Sequence, residues 1–103
     1  MKLLEVDKVE ILTLQDNYVD ITAMDNSAVV QRASPLQNMQ LKNSILAEHG
    51  FSALVTVHAD GKASSLLFDF GFSEDGAVRN AEMSGANIGS VKAMVLSHGH
   101  PDH

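Results

Sequence analysis

Cysteine is missing from the 103-residue chain, which excludes disulfides and thiolate metal ligands. Tryptophan is missing too, and four Phe and one Tyr are the whole aromatic content, so a core must be built from Leu, Val, Ile, Met and Ala. Basic residues are scarce: seven Lys and Arg stand against thirteen Asp and Glu, a net charge of −6. No basic cluster offsets that balance, which argues against a nucleic-acid partner. No apolar run approaches the ~18 residues of a membrane-spanning helix. The start, Met1-Lys2-Leu3-Leu4-Glu5-Val6-Asp7, turns acidic too early for a signal peptide. The expectation is a cytoplasmic protein with neither a nucleic-acid nor a membrane partner.

What remains is ordinary for a globular protein, with 45% hydrophobic and 19% charged residues. The length allows one domain, residues 1–103, that buries somewhat over ~60% of its unfolded surface. Val9 to Leu14 alternates apolar and polar residues and predicts a strand, broken by Asp16-Asn17. Ala23 to Gln40 reads as a long loop, with a short strand at Ala28-Val29-Val30. Gln37 to Glu48 predicts a short helix ended by Gly50, with Leu41, Ile45 and Leu46 on one face. Phe51 to His58 and Ser64 to Phe70 predict two strands joined by the turn Ala59-Asp60-Gly61-Lys62, whose Asp-Gly pair is a hairpin signal. Ser73 reads as an N-cap, Glu74 and Asp75 as the first helical turn, and Gly85 as the stop. Val91 to Leu96 is short and mostly apolar and predicts a buried strand. The order gives a mixed α/β layer.

The strongest feature follows that last strand. Ser97-His98-Gly99-His100-Pro101-Asp102-His103 holds three imidazoles and a carboxylate in six positions. Such a pattern arises by chance in about one shuffled chain in a thousand. Imidazole with carboxylate is a ligand set for zinc, and it also suits iron and manganese. His98 and His100 are two apart and point the same way in an extended segment. Pro101 fixes its own φ and pushes His100 towards an extended conformation, so a turn at Pro101-Asp102 aims Asp102 and His103 at a second position. Two adjacent metals suit hydrolysis. A catalytic zinc takes about three protein ligands, however, so four residues leave two sites incomplete.

This His-x-His-x-Asp-His cluster after an apolar strand resembles the signature of the metallo-β-lactamase superfamily of metallohydrolases. Leu66-Leu67-Phe68-Asp69-Phe70-Gly71 is similar to that superfamily's strand ending in Asp-x-Gly. Val9 to Asn17 and Glu48 to Val55 resemble the branch of archaeal and bacterial proteins similar to dihydropterin ribofuranosyl-aminobenzene-phosphate synthase. The likeness runs from about Val9 to His103. It implies the N-terminal half of a four-layer αββα sandwich, whose second sheet and later ligands lie beyond residue 103. It implies His98 and His100 as ligands of one metal and Asp102 and His103 as ligands of the other. Asp102 is thereby the expected catalytic residue, and Asp69 an orienting residue behind the ligand loop. Asp16, Asn17 and His49 would lie at the rim or behind the ligands, although turn chemistry at Asp16-Asn17 and helix capping by His49 are the plainer readings.

Two functions follow from this reading. The first is a metal-dependent hydrolase-like domain, with two divalent metals incompletely liganded in this chain and a small-molecule substrate once completed. The other is a non-enzymatic, truncated half-domain that binds metal or a partner protein. A missing second sheet would leave an apolar sheet face open, so self-association into a homo-oligomer is expected.

Overall fold

The computed structural model describes residues 1–33, 36–41 and 45–103. They form a small α+β domain with one helix and a four-stranded mixed sheet. Strand β1 (Lys8–Gln15) forms where a strand is expected, but its burial does not alternate: Lys8 to Ile11 are all exposed and Leu14 and Gln15 both buried. A two-residue hairpin, β2 (Leu36–Gln37) and β3 (Gln40–Leu41), forms a separate small sheet. Strands β4 (Ser52–Ala59) and β5 (Lys62–Phe68) follow, then helix α1 (Gly76–Met83), a 3-10 turn at Ile88–Ser90, and β6 (Ala93–Val95).

The sheet order is β1-β4-β5-β6. β1 runs antiparallel to β4, β4 antiparallel to β5, and β6 parallel to β5. Asp60 and Gly61 both take positive φ, 51° and 70°, the backbone that a two-residue hairpin needs to match strand twist. The parallel pairing of β6 is possible because α1 carries the chain back across the sheet.

α1 covers one face. Leu14, Leu54, Leu67, Ala77 and Ala81 form the core, with Leu12, Phe70, Ala86, Ile88 and Val91 packed around it. Asn80 is fully buried and ties the layers together: its side-chain amide donates to the carbonyls of Leu14 (2.7 Å) and Leu46 (2.9 Å) and accepts from Leu46 N–H (3.0 Å). The opposite face of the sheet carries Val9, Ile11 and Val95, which are 50%, 69% and 38% exposed. On the register Ile11↔Val55↔Leu66, half-buried Val55 and Leu66 lie on that same uncovered face. The radius of gyration, 14.7 Å, exceeds the ~13 Å of a compact chain this size, as expected when one sheet face is uncovered and residues 16–33 run outside the core.

Four expectations change. Among the described residues of Gln37 to Glu48 no helix is seen: residues 36–41 hold the tight hairpin and residues 45–48 are irregular, while residues 42–44 lie outside the described residues. Asn38 and Met39 both take positive φ, which no right-handed helix tolerates. Ala28-Val29-Val30 is not a strand; Ser27 Oγ instead accepts the N–H groups of Val29 and Val30. The helix starts at Gly76, so Glu74 and Asp75 precede its first turn, although Ser73 Oγ still accepts Gly76 N–H at 3.0 Å. Val91 to Leu96 is an exposed edge, with Met94 68% and Leu96 51% accessible, because among the described residues β6 has a strand on one side only. The helix stop is as expected: Gly85 takes φ 73°, its N–H reaches Glu82 O, and Ala86 N–H reaches Ala81 O, a Schellman closure.

Candidate metal centre

β5 ends where Asp69 takes φ 52°, an uncommon value that Asp tolerates better than most residues. The turn is fixed from three sides. Asp69 N–H donates to Val95 O and Gly71 N–H to Phe51 O, both at 2.9 Å. Ser52 Oγ donates to Asp69 O at 2.8 Å. The Asp69 carboxylate is thereby buried, 1% exposed, and directed at the segment that follows β6.

That carboxylate collects three donors. Oδ1 accepts Ser97 N–H at 2.7 Å, while Oδ2 takes Ser97 Oγ at 2.7 Å and His103 Nδ1 at 2.8 Å. Burial pushes the Asp69 carboxyl up, but the Ser97 backbone N–H, the His103 ring and the Ser97 hydroxyl outweigh it and hold the group below its ordinary value. Asp69 is therefore ionised near neutral pH and can only accept.

Proton accounting then sets the rings. The Ser97 hydroxyl has one hydrogen, and Asp69 takes it. Ser97 Oγ also lies 2.8 Å from His98 Nδ1, so that nitrogen carries the proton and His98 Nε2 keeps a lone pair. His103 Nδ1 donates to Asp69, so His103 Nε2 keeps its lone pair as well. One buried carboxylate thus orients two imidazoles through their Nδ1 atoms, the arrangement by which outer groups fix metal-binding histidines.

The lone-pair nitrogens have close neighbours. His98 Nε2 is 3.1 Å from His100 Nδ1. Two nitrogens on one tetrahedral zinc lie roughly 3.3 Å apart, given bonds of about 2.05 Å, so this spacing fits a shared ion as well as an N–H···N bond. His103 Nε2 is 3.7 Å from Asp102 Oδ2. The His98 ring lies 4.6 Å from that of His100 and 4.4 Å from that of His103, centroid to centroid. His98 and His100 are exposed and Asp102 and His103 half-buried, so the cluster opens to solvent. Among the described residues, no three His, Asp or Glu groups are disposed to hold one ion together. The four side chains lie as two neighbouring pairs, His98 with His100 and Asp102 with His103.

The rim residues play a clear structural part. Asp16 O accepts Glu48 N–H at 3.2 Å, and Asn17 Oδ1 accepts Gly50 N–H at 2.9 Å. Both therefore hold the 48–50 segment and lie behind it. That segment meets the ligand loop directly, since Phe51 N–H donates to Asp102 O at 3.0 Å. Gly50 takes φ 128°, and a Cβ there would lie 2.7 Å from Asp102 O, so only glycine permits the approach. His49 Nε2 sits 3.1 Å from Asp102 Oδ2, and its ring packs edge-on to Phe72 at 6.5 Å. Sequence reasoning missed Ser97 and Gly50; a hydroxyl between a strand and the first His was the available signal for Ser97. His58 stands apart, paired with Glu10 Oε2 at 2.6 Å across β1 and β4. No family model matches the sequence, and no curated relative matches it.

Proposed function

We propose that residues 97–103, backed by Asp69, form the metal centre of a hydrolase-like domain of metallo-β-lactamase type. The observation that carries this reading is the Asp69 carboxylate, whose hydrogen bonds favour the proton on Nδ1 of both His98 and His103 and a lone pair on each Nε2. A cluster serving only as a solvated turn would not need a buried anion behind it.

On this reading His98 and His100 hold one divalent ion, and Asp102 and His103 hold a second. Zinc is the first choice, with iron and manganese as alternatives. A bound ion would supply Lewis acidity and make water nucleophilic near neutral pH. The chain's own residues do the positioning. Asp69 locks the His98 and His103 rings, and Asp102 supplies the anionic oxygen beside His103. The clamp from Phe51 N–H to Asp102 O fixes the height of the loop against β4. The open side of the cluster leaves room for a small-molecule phosphoester, ester or amide. In the branch the sequence resembles, carbon–nitrogen bond formation on a phosphorylated pterin precursor is the alternative chemistry. The fold on this reading is the N-terminal half of the four-layer sandwich, and the location is the cytoplasm.

A second reading is favoured by the same geometry. Two ligands per ion fall short of the three that a catalytic zinc takes, so residues 1–103 would bind metal weakly and turn over no substrate, serving as a binding module. Zinc dialysis and an activity panel separate the two. Metal retained by the wild type and lost in His98→Ala and His100→Ala supports the centre. Hydrolysis lost in His100→Ala supports the enzyme over the module. A chain that retains no zinc near neutral pH removes both.

The uncovered sheet face supports self-association as well. Ile11→Lys places a charge on an exposed large apolar side chain of that face and should lower the mass seen by light scattering. A wild type that stays monomeric at high concentration argues against the homo-oligomer.

A further inference from the structure

Strand β1 is an edge of the sheet: among the described residues it pairs with β4 and with no other strand. The outer row of backbone N–H and C=O groups on such a strand is a template for a further strand. The segment leading into β1 adds a second observation. Leu3, Leu4 and Val6 are 81%, 83% and 39% exposed, so this segment holds apolar side chains that its own copy does not bury. Asp7 N–H donates to His58 O at 2.8 Å, which keeps the chain along β4 as it enters the strand.

One side of this stretch is matched to itself in reverse. Side chains alternate between the two faces of a strand. Leu12 lies on the face where α1 packs, and Lys8 and Glu10 share it. Continuing that alternation from residue 4 to residue 14 gives Leu4, Val6, Lys8, Glu10, Leu12 and Leu14: two apolar, one cationic, one anionic, two apolar. We propose that two copies of the chain pair their β1 edges antiparallel about a two-fold axis at Val9, forming one continuous sheet. In that register Lys8 of each copy faces Glu10 of the other, Val6 faces Leu12, and Leu4 faces Leu14.

The neighbouring symmetric registers are worse. An axis at Lys8 sets Lys8 against Lys8 of the second copy, and an axis at Glu10 sets Glu10 against Glu10. Like charges directly opposite are destabilising, whereas opposite charges and apolar pairs stabilise. Within one copy Lys8 Nζ already bonds Glu10 Oε1 at 2.6 Å, with both side chains well exposed. Pairing joins two such ion pairs head to tail, so that four charges alternate in sign across the seam. A contact of one edge with itself closes at two copies. The inference extends the self-association reading above, places its contact at the strand edge in addition to the sheet face, and does not depend on metal.

Sedimentation equilibrium of the full chain tests this by charge reversal. Lys8→Glu makes all four facing charges negative, and Glu10→Lys makes all four positive. Each alone should raise the dimer dissociation constant by on the order of tenfold, as two facing pairs turn from attraction to repulsion. The difference should shrink in high salt. An equimolar mixture of the two variants should recover the wild-type dimer, because a negative edge then faces a positive one. The doubly reversed chain, Lys8→Glu with Glu10→Lys, should dimerise by itself, and it serves as the check if circular dichroism shows that a single variant loses its fold.

Single variants that dimerise like the wild type overturn the inference. So do folded variants whose mixture stays monomeric, or a doubly reversed chain that does not dimerise. Ile11→Lys separates the two contacts, because Ile11 lies on the opposite face from the charge row. Mass lost in Ile11→Lys but kept in Lys8→Glu assigns association to the sheet face and ends the edge pairing. The reverse result keeps the edge pairing and removes the face contact. A wild type that stays monomeric at high concentration removes both.

Discussion

Asp69→Asn isolates the electrostatic part of the carboxylate network at almost constant shape. Asn tolerates the left-handed backbone that Asp69 adopts at φ 52°, and its Oδ1 can still accept Ser97 N–H. The change falls on Oδ2, which accepts Ser97 Oγ and His103 Nδ1. A hydrogen bond to a charged group contributes about 1.5–3 kcal/mol, and a neutral one about 1 kcal/mol. The new amide can donate back to both partners, so the loss should be about 2–3 kcal/mol. For a domain of this size that lowers Tm by roughly 10–20 °C.

The back-donation has a second effect. His103 can accept from the Asn amide only through an Nδ1 lone pair, which moves its proton to Nε2, the nitrogen nearest Asp102. Urea denaturation near neutral pH measures the first effect, and 15N-histidine spectra read the tautomer. The pH dependence has a definite sign. The folded Asp69 carboxyl lies below its ordinary value, so its contribution is present above the ordinary carboxylate range near pH 4 and is lost as pH falls through the lower folded value. The gap between wild type and variant should therefore close in acid. A loss under about 1 kcal/mol near neutrality, a gap that persists in strong acid, or a His103 proton still on Nδ1 would refute the proton accounting.

Gly50→Ala should destabilise by about 2–4 kcal/mol, because the added Cβ meets Asp102 O at 2.7 Å and φ 128° is strained for Ala. Amide exchange should accelerate at Phe51, and a variant with unchanged Phe51 protection would show the clamp to be dispensable. Asn80→Ala removes three hydrogen bonds from a fully buried side chain and should cost about 3 kcal/mol in urea denaturation; a loss below about 1 kcal/mol would mean water replaces the amide.

Local signals carried much of the fold. Alternation in Val9 to Leu14, the Asp60-Gly61 pair and Gly85 each report a backbone state decided within a few residues. Val91 to Leu96 is less legible, because an apolar run does not say whether a neighbour covers it, and among the described residues no strand lies beyond β6. The segment from Gln37 to Glu48 had apolar residues at helical spacing, but positive φ at Asn38 and Met39 turned its first part into a hairpin. The cluster at 97–103 was legible because its residue types are rare together. Asp69 is marked in the sequence by its Asp-x-Gly pattern, but its hold on His103 and Ser97 depends on β5 and β6 lying side by side. Asn80 gave no signal, since a polar residue in a helix looks solvated until the strand it reaches is known.

The pairing of β1 with β4 also has a consequence for the order of folding. β4 and β5 are joined by a two-residue turn, so their hairpin can form in roughly 1–10 μs. β1 must close the segment 16–51 before it can dock, and the length-dependent entropy of that closure is about 3 kcal/mol. His49 lies in that segment, at the end that meets β4. Docking of β1 brings in Asp16 and Asn17, the groups that pin Glu48 and Gly50. The contact between His49 and Asp102 is therefore held in place only once β1 has docked, and its formation reports that the β1 edge of the sheet is in place.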